Sequence, residues 1–187
     1  MGKNEILVEA IQEIRTDTEV NRSEDVRKVN QLIDQADVNC EIEGMRPVHW
    51  TADGGHLDVL KGLKTNGADL DAKAANGKSC IHFAARSGNV KMVIFLKHQV
   101  HTIDKQNQTA LHIASIMGHQ PVVEVLIELM GADTSVTNLL GETPEMCSDP
   151  SLKKYWEDLA IRRQSNFPLV HDDPQKILKT NPKYAIT

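Results

Sequence analysis

Apolar residues recur along this chain in short helical stripes rather than in one long run. Val59, Leu60 and Leu63 fall at i, i+1 and i+4, as do Met92, Val93 and Leu96, and then Val122, Val123 and Leu126. That spacing puts three side chains on one face of a helix and predicts three short amphipathic helices, each with a buried stripe. Small residues stand upstream of each stripe, at Ala52, Ala85 and Ser115, where two helices can approach closely. Turn chemistry brackets the stripes. Pro121 sits at a helix start, where its missing N–H costs nothing. Gly67 and Gly131 follow helices, where a left-handed residue closes the last turn. Toward the N-terminus ILVEAIQEI and SEDVRKVNQLIDQ read as two further helices, and SLKKYWEDLAIRRQ reads as a last one.

The stripes belong to a repeat. GMRPVHWTADGGH from Gly44, GKSCIHFAARSGN from Gly77 and NQTALHIASIMGH from Asn107 line up, and GETPEM from Gly141 opens a partial fourth copy. The starts lie 33, 30 and 34 residues apart. Two copies close on Gly-Ala-Asp, at Gly67 and Gly131. The first spacing is the ankyrin period. Over residues 23–160 the segments resemble the ankyrin repeat, with its T-P-L-H motif, its Gly-His turn and its closing Gly-Ala-Asp.

The resemblance implies an all-α solenoid of stacked helix-turn-helix units with projecting loops. It predicts a repeat domain over residues 1–164, with full repeats at about 44–76, 77–106 and 107–140 between degenerate caps, and an extended tail over 165–187. Three full repeats plus caps meet the minimum for a stable stack. Several residues depart from the pattern. Arg46 stands where Thr would cap the first helix, Cys80 replaces the motif proline, and Gly62 interrupts a helix at a cost of about 1 kcal/mol relative to alanine. The repeat from Gly77 runs KHQVHTID and is three residues short, which predicts a clipped projecting loop.

Composition narrows the class. Apolar residues make up 40% and charged residues 25%, enough for a core and a wettable surface, while 4% aromatic disfavours a sheet with aromatic ladders. The net charge of −5 and the absence of a basic run oppose direct nucleic-acid binding. No apolar stretch is long enough to cross a bilayer, and no secretory signal is evident, so membrane insertion is not expected. The three cysteines, Cys40, Cys80 and Cys147, are odd in number and far apart, which points to free thiols in a reducing compartment, cytoplasm or nucleus.

Eight histidines invite a metal or catalytic reading. His49, His82 and His112 share one repeat column, however, and His56 and His119 another; the resemblance implies that they tie helix ends to loops. Cys80 beside His82 is the one tempting nucleophile pair, but neighbours in sequence are not neighbours in space. No phosphate loop or triad motif is present, so no cofactor, metal or catalytic residue is expected. Trp50, Phe83 and Ile113 share a column that reads as core, with partial exposure of the large Trp50.

The resemblance therefore implies a protein-recognition scaffold. Stacked repeats bury their long faces and leave one curved surface free. The positions it exposes to a partner are Ile42, Met45 and Asp53; Lys78 and Arg86; Lys105, Gln108, Ile116 and Met117; and Leu139, Leu140 and Glu142. Ile116, Met117, Leu139 and Leu140 are expected to form one apolar patch flanked by Arg86 and Lys105, the mark of an interaction site. The function expected is an adaptor or assembly subunit with a protein partner. The alternatives are an inhibitor that masks a transcription factor or other partner and, from another class, an enzyme using Cys80 or the histidines.

Overall fold

The computed structural model describes residues 2–16 and 22–164. Residues 165–187, the expected tail, lie outside the described residues. The described chain forms α1 (Lys3–Thr16), α2 (Arg22–Ile33), α3 (Pro47–Gly54), α4 (Leu57–Thr65), α5 (Cys80–Arg86), α6 (Val90–Phe95), α7 (Ala110–Ile116), α8 (Gln120–Glu124) and α9 (Lys153–Gln164). Among the described residues there is no strand, only an isolated antiparallel bridge between Ile42 and Met45.

The helices form two layers. One runs α1, α3, α5, α7, each packed on the next; the other contains α2 against α4 and α6 against α8. Within each repeat the inner helix packs on its outer partner, α3 on α4, α5 on α6 and α7 on α8. The stripes explain the stacking. Val59, Leu60, Leu63, Met92, Val93, Leu96, Val122, Val123 and Leu126 all lose their solvent exposure completely, as do Ala52, Ala85 and Ser115. A repeat alone could not bury its face, and stacking supplies the partner.

The ends close the core differently. On the N-terminal side Leu7, Val8 and Ile11 of α1 seal the first repeat. On the C-terminal side the partial fourth repeat forms no regular inner helix. Its chain turns over Thr143–Cys147, Asp149 N–H donates to the Ser115 carbonyl at 2.8 Å, and Leu152, Tyr155, Trp156 and Leu159 cover the last stripe.

Two irregularities have local causes. A Cβ added at Gly62 would lie 2.8 Å from the Asn30 side-chain oxygen, so the glycine admits α2 against α4. In the shortened second repeat the projecting loop is not clipped. Asp104 N–H donates to the Gln108 carbonyl at 3.0 Å, as Ala74 N–H does to Lys78 at 2.9 Å. The three residues are lost at the helix end instead. α6 stops at Phe95, and Lys97–Gln99 makes one 3-10 turn that delivers Gln99 into the core. There its amide donates to the Leu70 carbonyl at 2.7 Å and accepts from Ile81 N–H at 3.1 Å.

Candidate partner-binding surface

Four loops project where the inner helices begin, and their tips are joined in a row. Ala75 N–H donates to the Gly44 carbonyl at 2.8 Å, Lys105 N–H to Asn76 at 3.2 Å, and Leu139 N–H to Gln106 at 3.0 Å. Each tip turns through a left-handed residue: Gly44, Gly77, Asn107 and Gly141 have φ of 73°, 79°, 57° and 78°. Asparagine tolerates this region better than other residues with a Cβ. At Gly77 a side chain is also excluded by space, since a Cβ would come within 2.8 Å of Lys105 N.

Inside the stack the histidine column braces the loops. Nδ1 of His49, His82 and His112 accepts from the backbone N–H of Arg46, Ser79 and Thr109 at 3.0, 3.1 and 3.1 Å. The proton therefore sits on Nε2, which donates to the carbonyls of Ala72, Gln108 and Glu142 at 2.9, 3.0 and 3.2 Å. Burial lowers the pKa of all three rings and holds them neutral. Both nitrogens of His82 are thus engaged. The neighbouring Cys80 is fully buried, and burial pushes its thiol up to about 12, far from a nucleophilic thiolate at neutral pH. Among the described residues no group of three or more His, Cys, Asp or Glu converges as a metal site requires, and no helix is long and apolar enough to cross a membrane.

The expected contact residues fall into three groups. Arg86, Lys105, Ile116, Met117, Leu139 and Leu140 are exposed. Ile42, Met45, Lys78, Gln108 and Glu142 are half-buried at the loop flanks; Ile42 and Met45 pair with each other across the first loop. Asp53 does not meet the expectation of a surface position. It is 4% exposed, and Arg86 covers it, with Nε donating to its Oδ1 at 2.8 Å. The carboxylate follows the inward face of α3 instead of the solvent.

The apolar four do not form one patch. Leu139 and Leu140 cap the last loop tip, beside Gln106. Ile116 and Met117 end α7, which leads from the loop at Thr109 to the turn at Gly118 and is about 10 Å long at 1.5 Å per residue. The two pairs therefore mark opposite ends of one inner-helix strip. Met146, 72% exposed, is a further large apolar side chain in the partial fourth repeat, which the family positions do not include.

Sequence reasoning also missed what holds the tips rigid. Asp104 Oδ1 accepts the N–H groups of Gln106 and Gln108 at 2.9 and 2.8 Å, and Asn138 Oδ1 those of Leu140 and Glu142 at 2.9 and 3.0 Å. The signal was available: an Asp or Asn stands three residues before the left-handed turn residue in both repeats.

A stack of helical pairs with tied loop tips and a free inner strip defines a helical-repeat recognition scaffold. Residues 55–138 match the family model for ankyrin repeats, in three copies, so this part of the chain carries ankyrin repeats. It is 29% identical over 119 residues to palmitoyltransferase AKR1 of Lachancea kluyveri, covering 58% of this chain and 16% of that one. It is 33% identical over 98 residues to the NF-kappa-B inhibitor cactus of Drosophila melanogaster, covering 49% of this chain and 19% of the relative. Against human protein phosphatase 1 regulatory subunit 27 it is 33% identical over 98 residues, covering 51% of this chain and 63% of the relative. The chain thus spans less than two thirds of each of these relatives. Ankyrin repeats point to protein–protein interaction, and two of these relatives carry regulatory names.

Proposed function

We propose that the chain is an adaptor or assembly subunit that holds a protein partner along its inner helices and loop tips. The observation that carries this reading is the last tip. Leu139 and Leu140 are 73% and 82% exposed on a loop whose backbone is fixed by Asn138 and tied to Gln106. Two exposed leucines contribute nothing to the core, and a rigid apolar projection loses little entropy when a partner covers it. Ile116 and Met117, 41% and 48% exposed, offer a second contact at the far end of α7, where methionine suits an adaptable surface. Arg86, at the end of the neighbouring α5, borders this second contact, whereas Lys105 lies in the row of loop tips with Leu139. In this reading the partner is a protein, nucleic acid is not engaged directly, and the chain does not insert into a membrane. In this reading residues 1–164 are one repeat domain with caps, and the free thiols at Cys40, Cys80 and Cys147 fit the cytoplasm or nucleus.

A second reading, an inhibitor that masks its partner, is favoured by the 33% identity to cactus, whose name states that role. The test places a photo-cross-linking residue at Leu140 or, as control, at Lys61 on the exposed face of α4. Capture of a specific protein from Leu140 and not from Lys61 is expected. Leu139→Ser with Leu140→Ser should then weaken binding of that protein by at least about 2 kcal/mol while melting is unchanged. Equal capture from both positions would refute the assignment of the surface. A ternary complex with a further component supports the adaptor, and mutually exclusive binding supports the inhibitor.

A further inference from the structure

Met146 is 72% exposed at a position where the three earlier repeats carry fully buried histidines. Thr143-Pro144-Glu145-Met146 stands in register with Thr109-Ala110-Leu111-His112. The local bonds correspond. Thr143 N–H donates to Met146 Sδ at 3.5 Å, and Met146 N–H to Thr143 Oγ1 at 3.4 Å. Thr109 N–H likewise donates to His112 Nδ1 at 3.1 Å, and His112 N–H to Thr109 Oγ1 at 3.4 Å. A thioether, however, has no proton to give. His82 and His112 reach the next loop through Nε2; Met146 has no such donor, and its side chain remains in solvent.

The row of tip bonds ends at the same repeat. Its acceptors at the second and third tips are the carbonyls of Asn76 and Gln106, each one residue before the left-handed Gly77 or Asn107; the first tip uses Gly44 itself. Leu140 stands one residue before the left-handed Gly141, so its carbonyl is the next acceptor in register. Among the described residues no N–H donates to it. It is nevertheless held in place, because Leu140 N–H is fixed by Asn138 Oδ1 at 2.9 Å and Gly141 N–H by the Asn138 carbonyl at 3.0 Å. The chemistry around this edge selects its occupant. Leu140 and Met146 offer apolar contact, and residues 138–149 include Glu142 and the exposed Glu145 but no lysine or arginine. A second copy stacked head to tail does not fit. Its first tip places Ile42 where Leu139 stands, and Ile42 N–H already donates to the Met45 carbonyl at 2.9 Å. Its Glu41 and Glu43 would also meet Glu142 and Glu145, a like-charge contact. We propose that the Leu140 edge docks an extended, basic segment of a protein partner, which continues the row of tip bonds. One backbone N–H of that segment donates to the Leu140 carbonyl, an apolar side chain lies on Leu140 and Met146, and a lysine or arginine faces Glu145. Main-chain bonding supplies affinity and the flanking side chains supply selectivity, as in strand addition to a sheet edge. This inference rests on the reading of the last tip as a partner surface and names the segment that it takes.

The test selects binders of the full chain from a displayed library of random linear peptides. The selected peptides should combine basic and apolar residues and should move the methyl resonances of Leu140 and Met146 in the labelled protein. N-methylation of the best peptide, one backbone position at a time, should find a single position that lowers affinity at least about tenfold, the effect of stranding one carbonyl. Glu145→Lys should weaken a lysine-bearing peptide and strengthen its glutamate counterpart, while the melting temperature is unchanged. A flat N-methyl scan, indifference to both Glu145→Lys and Met146→Glu, or a selection that yields no peptide shifting Leu140 would overturn the proposal. So would Leu140 and Met146 resonances that move in the parent chain on dilution, which would make the occupant a second copy, or on serine replacement of Phe167 and Leu169, which would make it the chain itself. If the peptide results fail while Leu140 still cross-links one specific protein, the partner surface stands and the strand-like docking alone falls. If the cross-link also fails, the surface falls with it.

Discussion

Arg86 and Asp53, 33 residues apart in the sequence, meet at the turn ends of neighbouring inner helices. The guanidinium Nε donates to Asp53 Oδ1 at 2.8 Å and Nη2 converges on the same oxygen. The Asp53 side chain is 2% exposed, whereas that of Arg86 is 43% exposed and lies over the Phe83 ring at 5.5 Å. The pair clips the first repeat to the second from the solvent side, so a residue that borders the candidate surface also holds the stack.

Arg86→Ala should therefore destabilise the protein by about 2–4 kcal/mol, because it strips a buried carboxylate of its guanidinium. Arg86→Lys should recover only part of this, since a single ammonium does not reproduce two converging N–H donors. Urea titrations of the three proteins at neutral pH decide the point. An Arg86→Ala midpoint equal to that of the parent would show that the pair does not bear on stability.

Leu126, in the π-helical turn Val125–Leu129 that continues α8, faces the core, and Lys61 of α4 faces solvent. Leu126 is fully buried, and Lys61 is exposed. Leu126→Ala should cost about 2–5 kcal/mol through the cavity it leaves. Lys61→Ala should stay within about 0.5 kcal/mol. Similar urea midpoints for the two would mean that the stripe faces the wrong way.

The stacked core was legible because its residues repeat at the ankyrin period; Leu63, Leu96 and Leu126 form a column whichever copy is read first. Asp53 was misread because family positions place the two residues before the Gly-His turn outside, whatever their neighbours. The corrective signal was the opposite charge one period later, at Arg86. The division of the apolar strip was illegible for a different reason. A list of exposed positions does not say that Met117 and Leu140 flank opposite ends of α7. Gln99 was hidden by the deletion itself, which shifts it out of the column comparison and into the space left by the missing residues.

The histidine column makes stability depend on pH. In the unfolded chain a histidine titrates near 6.5. In the fold His49, His82 and His112 titrate lower because burial disfavours the charged ring, and protonation of Nδ1 would also end its acceptance of a backbone N–H. Below about pH 6.5 the unfolded chain binds more protons than the fold, so stability falls as pH falls, by up to about 1.4 kcal/mol per pH unit for each ring between its two pKa values. Above that range these rings contribute no slope. Urea stability measured from pH 8 to pH 5 should be flat and then drop. His82→Gln should lower stability at pH 7 and make the acid limb shallower. An acid limb as steep in His82→Gln as in the parent would assign it to other groups.

Gln99 replaces three missing residues with three side-chain hydrogen bonds, and its substitution separates bonding from volume. Its amide nitrogen serves the Leu70 carbonyl and, at 3.1 Å, Asp71 Oδ1, while its oxygen serves the N–H of Ile81 in the first turn of α5. Gln99→Ala leaves a buried donor and a buried acceptor without this partner and opens a void, so a loss of about 2–4 kcal/mol is expected. Gln99→Leu fills most of the void yet restores none of these bonds. If the hydrogen bonds carry the repair of the shortened helix end, Leu should be nearly as damaging as Ala, and amide exchange at Ile81 should accelerate in both. If Leu instead matches the parent in a urea titration, the side chain acts as filler alone. Gln99→Glu gives a third measurement. Its carboxylate can accept from Ile81 but faces the Leu70 carbonyl and Asp71 with no proton to donate. Its deficit should therefore be large at neutral pH. It should shrink relative to the parent as the carboxyl group protonates, which neither Ala nor Leu can reproduce.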